Sequence, residues 1–111
     1  MTNKKTILID LDGVLNLYNG KFDELQIPDI KDGAKEFIEK LSQDFTVKIF
    51  TTRNKILTTK WIIKHSLTEA ITDVTDIKEP AHLFLDDRCI CFDGDFNNTM
   101  DKIQNFKPWY K

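Results

Sequence analysis

Two aspartates with one leucine between them end an apolar run in TILIDLDGVL, residues Thr6 to Leu15. In extended chain, residues two apart share a face, so Asp10 and Asp12 point together while Leu11 turns away into packing. Two other apolar stretches also end in polar residues. VKIF runs into Thr51, Thr52 and Arg53, and LFL runs into Asp86, Asp87 and Arg88. As parallel strands of one sheet, the three would bring their polar ends to one edge, where open α/β sheets hold their ligands. Carboxylates gathered there repel one another and raise one another's pKa values. A bound cation relieves that repulsion, and oxygen-only ligands suit a hard ion such as Mg2+. A lone Asp-x-Asp is usually a turn or a solvated face. The Asp86-Asp87 pair behind a buried strand is harder to explain that way, because buried carboxylates need partners.

The elements that must position these residues follow from pattern. TILIDLD is β-branched and apolar and reads as a buried strand. VLNLYNGKFDEL carries Asn19-Gly20 between alternating segments, a hairpin signal. Asp32 is placed to cap a helix over DGAKEFIEKLS, where Ala34, Phe37, Ile38 and Leu41 recur at helical spacing. FTVKIFTT is a second strand. NKILTTKWIIKH is a second helix capped by Asn54, AITDVT and HLFLDD are further strands, and FNNTMDKIQNF is a last helix. The alternation predicts one Rossmann-like α/β domain over residues 1–111, in three layers, with a mostly parallel sheet covered on both faces. Only Arg88 separates LFLDD from CICF, too little for a parallel crossover. Cys89–Phe92 is therefore expected as an antiparallel neighbour, an edge strand or a bent continuation.

Composition bounds the rest. A chain of 111 residues that is 41% hydrophobic holds one core. A net charge of -2 gives no global pull towards nucleic acid or an anionic membrane. Cys89 and Cys91 have poor geometry for a disulfide and no further metal ligand nearby, so they read as small core hydrophobes. The start MTNKK is basic, but Asp10 and Asp12 cut the apolar run behind it. That excludes a signal peptide, no run is long enough for a membrane, and the expected location is the cytoplasm.

These three polar clusters, with Lys78 of DIKEPA between the second and the last, resemble in this order the haloacid dehalogenase superfamily of aspartate-nucleophile phosphohydrolases. DLDGVL matches its first motif, IFTTR its second, Lys78 in DIKEPA its third, and LFLDD its acidic fourth. The resemblance spans Ile7 to Asp87. It implies that Asp10 is the nucleophile and that Asp12 protonates the leaving oxygen and then accepts a proton from water. It implies Mg2+ held by Asp10, Asp86, Asp87 and Asp12, the last through its backbone carbonyl. It further implies phosphoryl contacts from Thr51, with Thr52 beside it, charge balance from Lys78, and a close backbone approach at Gly13. The Asn19-Gly20 hairpin would be the flap beside the site. A second aspartate argues against carbon–halogen cleavage, because a halide leaves without a proton.

The motifs stand too close together for a cap domain. Capless members take exposed phosphates on large substrates or are covered by a neighbouring subunit, so the expected partner is a phosphorylated small molecule or an exposed phosphate. A homo-oligomer would cover the site. Arg53 and Arg88 are the cations placed to reach a substrate anion, while Lys55, Lys60 and Lys64 read as a solvated helix face. His65 and His82 look structural. KPWYK, with Trp109 and Tyr110, is expected to pack back on the domain. Two other functions compete: a phospho-accepting receiver-like domain, and an inactive binding module of the same fold. A receiver places its acidic pair first and its acceptor aspartate later, the reverse of the order here.

Overall fold

The structure, a computed structural model, describes residues 4–111. The first three residues of MTNKK lie outside the described residues. Four strands form one parallel sheet: β1 (Lys5–Asp10), β2 (Phe45–Phe50), β3 (Asp73–Thr75) and β4 (Leu83–Leu85), in the order β3-β2-β1-β4. Three helices, α1 (Ala34–Asp44), α2 (Lys55–Lys64) and α3 (Phe96–Gln104), complete a Rossmann-like α/β domain of the expected class. Strand β1 is central and buried on both faces, with Ile7, Leu8 and Ile9 each at most 3% exposed. The strand order reverses beside it, because the chain steps from β1 to β2 to β3 and then returns to β1's other flank as β4. Such a switch point opens a crevice at the carboxyl ends of the strands.

Pairing fixes what enters that crevice. Asp10 registers with Phe50 and Ile9 with Leu85, so Thr51 and Asp86 emerge beside Asp10. On one sheet face Ile7, Ile9, Val47, Ile49 and Val74 join Ile38 of α1 and Trp61 and Ile62 of α2 in a single buried cluster. The other face carries Leu8, Phe50 and Phe84, and α3 buries none of its residues. Among the described residues no helix is long and apolar enough to cross a membrane.

Several local expectations are corrected. Asn19-Gly20 turns the chain, with Gly20 at φ +99° and the Asn19 side chain accepting from the Lys21 amide, but no hairpin forms. Leu17, Phe22 and Leu25 are exposed, so the flanks find no surface to pair on, and an isolated two-stranded hairpin is marginal. A single antiparallel bridge, Asn16 with Ile30, cinches the base of this flap. Cys89–Phe92 forms no strand, and both cysteines are exposed free thiols rather than core residues. Asn54 caps α2 as expected, accepting from the Leu57 amide at 3.0 Å. Asp32 does not cap α1. Gly33 takes that place at φ +87° with no side-chain cap.

Candidate active site

The crevice at the switch point is an open cleft of about 510 Å3. Asp10, Asp12, Thr51, Thr52, Asp86 and Arg88 line it, joined by Tyr18, Phe22 and Phe50. Carboxylate oxygens of Asp10, Asp86 and Asp87 lie within 4.8 Å of one another. Asp86 is braced by the Arg88 amide, 2.9 Å from its Oδ1. Asp87 Oδ2 is buried without a hydrogen-bond partner. Asp10 sits against this group at the end of a buried strand. Burial, then the Asp87 carboxyl, then the charges of Asp86, Asp87 and Asp12 push its pKa up to about 8. The direction agrees with the repulsion expected of carboxylates gathered at one sheet edge. In these surroundings ionisation needs a nearby positive charge.

Asp12 faces the other way electrostatically. Its Oδ2 accepts from Arg53 Nε at 2.8 Å, and its Oδ1 accepts from Asn16 Nδ2 at 3.1 Å. Arg53 is not the free substrate cation expected from sequence. Its side chain is 1% exposed, its Nη1 donates to the Asp23 carbonyl at 2.7 Å, and its guanidinium stacks 4.4 Å over the Phe22 ring. One arginine thus ties the second aspartate to the flap. Its Nη2 has no partner.

Gly13 follows Asp12 at φ +86°, and a Cβ there would collide with the Asp87 carboxylate. Glycine is needed for both the turn and the close approach. The sequence motifs assign no site role to Asn16. It is fully buried and pins the turn, its Oδ1 accepting from Gly13 N at 3.2 Å and Tyr18 N at 3.1 Å. An asparagine inside the apolar VLNLY was the available signal.

Thr51 is buried, and its hydroxyl accepts from the Arg53 amide at 3.2 Å. Lys78 is not in the main cleft. It borders a neighbouring cavity of about 480 Å3 that shares Asp10, Phe50 and Asp86, and its ammonium lies 4.8 Å over the Phe84 ring. Glu79 pairs with Lys48 instead, at 2.9 Å.

No protein-family model matches the chain, and no curated protein matches it. A solved structure, that of a conserved protein from Bacteroides thetaiotaomicron, is similar over 92% of this chain and 91% of that one, with a TM-score of 0.60 and 21% identity. At that identity the likeness bears on the fold alone.

Proposed function

We propose that this protein is a Mg2+-dependent phosphohydrolase of the haloacid dehalogenase type, cleaving phosphate monoesters through an aspartyl phosphate. The observation that carries the reading is the trio Asp10, Asp86 and Asp87, converging within 4.8 Å at the sheet's switch point with Asp87 Oδ2 buried and unpaired. An all-oxygen set of this kind fits a hard divalent ion. When bound, Mg2+ supplies positive charge that offsets the carboxylates and the phosphoryl oxygens.

The chain's own residues do the remaining work. The Asp10 carboxylate attacks phosphorus, and the bond to the leaving oxygen breaks. Asp12, two residues on and lining the same cleft, gives that oxygen a proton. Water then attacks the phosphoryl group and passes a proton to Asp12, the aspartyl bond breaks, and inorganic phosphate leaves with Asp10 restored. Thr51 and Thr52 line the place where the phosphoryl oxygens would lie. Arg53 and Asn16 hold Asp12 in position. Among the described residues none forms a cap over the cleft, which suits an exposed phosphate.

An activated aryl phosphate tests the roles. Wild type turns over with Mg2+ and stops with a chelator. Asp12→Asn gives a burst near one equivalent of phenolate and then slow turnover, because general-base help worth ~10²–10⁴-fold is lost. Asp10→Asn gives no burst. Full turnover in excess chelator, or a burst from Asp10→Asn alone, would refute the assignment. A phospho-aspartate that persists in wild type would favour a receiver-like switch.

A further inference from the structure

Residues 108–111 lie about a hundred positions from the first motif in sequence yet pack directly on it. Trp109 Nε1 donates to the Gly13 carbonyl. The Tyr110 ring lies against Gly13 and Asp87: a Cβ on Gly13 would come 3.0 Å from Tyr110 Cε1 and would collide with the Asp87 carboxylate. Tyr110 also meets the flap's Tyr18 edge-on at 5.7 Å and Trp109 at 5.4 Å. Lys31, at the far end of the flap, places its ammonium 4.5 Å over the Trp109 ring. Lys31 N also donates to the Leu15 carbonyl at 2.8 Å. Lys111 crowds Gly20 at the flap's tip, its Nζ 2.7 Å from where a Cβ would stand. The Lys111 amide closes the segment on itself by donating to Pro108 O at 3.1 Å.

These contacts converge on one turn. Gly13 connects Asp12 to the flap, and its α-carbon is the floor on which Asp87 rests. Trp109 is 57% exposed, so its contribution to the core is small. Its N–H is spent on the carbonyl of Gly13, while the Leu11 carbonyl and Asn16 Oδ1 take the turn's amides. We propose that residues 108–111 form a strap in which Trp109 and Tyr110 are positioning residues: Trp109 fixes the Gly13 turn and so the aim of Asp12, and Tyr110 walls Asp87 into the carboxylate cluster. The strap also holds the flap through Lys31 on Trp109 and Tyr18 on Tyr110, where no other described residue covers the site. Its catalytic meaning rests on the activity proposed above, but its grip on the turn does not.

Four variants separate the two ideas: Trp109→Phe, Tyr110→Ala, Tyr110→Phe, and Phe96→Ala in α3 as a control on an exposed ring. Amide hydrogen exchange at Gly13, Val14 and Leu15 reads the turn without any assay of activity. Trp109→Phe should speed it ~fivefold, the loss of one hydrogen bond, while the control leaves it unchanged. Calorimetric titration with Mg2+ should show affinity ~10-fold weaker in Tyr110→Ala and partly restored in Tyr110→Phe, which keeps the ring but loses the hydroxyl facing Asp87. On an aryl phosphate, Trp109→Phe should lower kcat ~10-fold with KM within about twofold. Exchange and Mg2+ affinity unchanged in all variants, with wild-type turnover intact, would overturn the strap and leave the proposed activity standing. Faster exchange in Trp109→Phe from a wild type that neither binds Mg2+ nor turns over would overturn the activity and keep the strap.

Discussion

Asp10 carries an electrostatic penalty when no cation is present, and that penalty sets a pH slope on stability. Its pKa stands at 3.8 in the open chain and at about 8 in the folded protein, raised by burial first and then by Asp87, Asp86 and Asp12. Below the lower value both states hold the proton. Between the two values the unfolded chain has released it and the folded chain keeps it, so stability falls as pH rises. Above about 8 both have released it and the loss is complete. About four pH units at ~1.4 kcal/mol each gives an upper limit of ~6 kcal/mol. Asp10 is only partly buried, and solvent screening reduces this to about 3 kcal/mol. For a domain of this length that corresponds to ~10 °C in Tm. Urea and thermal unfolding of wild type and Asp10→Asn in chelator, from about pH 4 to about pH 8, measure it as a difference. The comparison cancels His65, whose pKa burial lowers and whose slope has the opposite sign. It also cancels Asp73 and Asp93, whose carboxyls backbone amides hold low and which act only at acid pH. Asp10→Asn should gain on wild type across the interval, and saturating Mg2+ should close the gap by favouring the ionised form. Parallel curves for the two proteins would refute the reasoning, because Asp10 would then titrate like an exposed aspartate.

Three further outcomes follow from the geometry. Arg53→Ala strands the Asp12 carboxylate and the Asp23 carbonyl, and should cost about 3 kcal/mol in urea unfolding; Arg53→Lys should recover only part of it, because one ammonium cannot span Asp12 and Asp23. Lys78→Ala removes an exposed side chain and should leave Tm nearly unchanged, within ~0.5 kcal/mol, while turnover falls ~10²-fold. An unchanged rate would mean that Lys78 serves only its stack on Phe84. Gly13→Ala forces a side chain into positive φ and against Asp87, and should cost ~1–3 kcal/mol in a melt and weaken Mg2+ binding by calorimetry.

What the sequence made legible is what depends on period and strand polarity. An apolar run that turns polar at its carboxyl end reads as a parallel strand, and parallel pairing brings such ends level; burial does not follow, since β4 leaves Leu83 and Phe84 exposed although LFL reads as buried. Asp10, Thr51 and Asp86 are therefore grouped by the sequence itself. Local turn chemistry was half legible. Asn19-Gly20 does turn the chain, but whether its flanks become strands depends on a partner surface, and the exposed Phe22 and Leu25 have none. Cys89 and Cys91 failed for the same reason, since an apolar composition does not show whether anything covers the segment. That KPWYK packs back on the domain was legible from its aromatic residues, but the partners set by the tertiary fold were not. Arg53 meets Asp12 across 41 positions and Trp109 meets Gly13 across 96, and neither separation leaves a periodic trace.

The two aspartates of the first motif end up in opposite surroundings although one residue separates them. Leu11 is wholly buried and anchors the chain between them. On one side Asp10 stays level with the strand ends and sits among other carboxylates, Asp86 and Asp87. On the other side the chain turns at Gly13, so Asp12 meets donors, Arg53 and Asn16. A group crowded by like charge is suited to hold a cation and, once ionised, to attack phosphorus. A group gripped by donors at both oxygens is held in place beside the leaving oxygen. The division of labour therefore arises from the turn rather than from the residue type, which is the same at both positions. The turn in turn depends on Gly13 for its φ, on Asn16 for its amides and on Trp109 for its carbonyl. A substitution at any of the three should blur the distinction between Asp10 and Asp12 while leaving both carboxylates present.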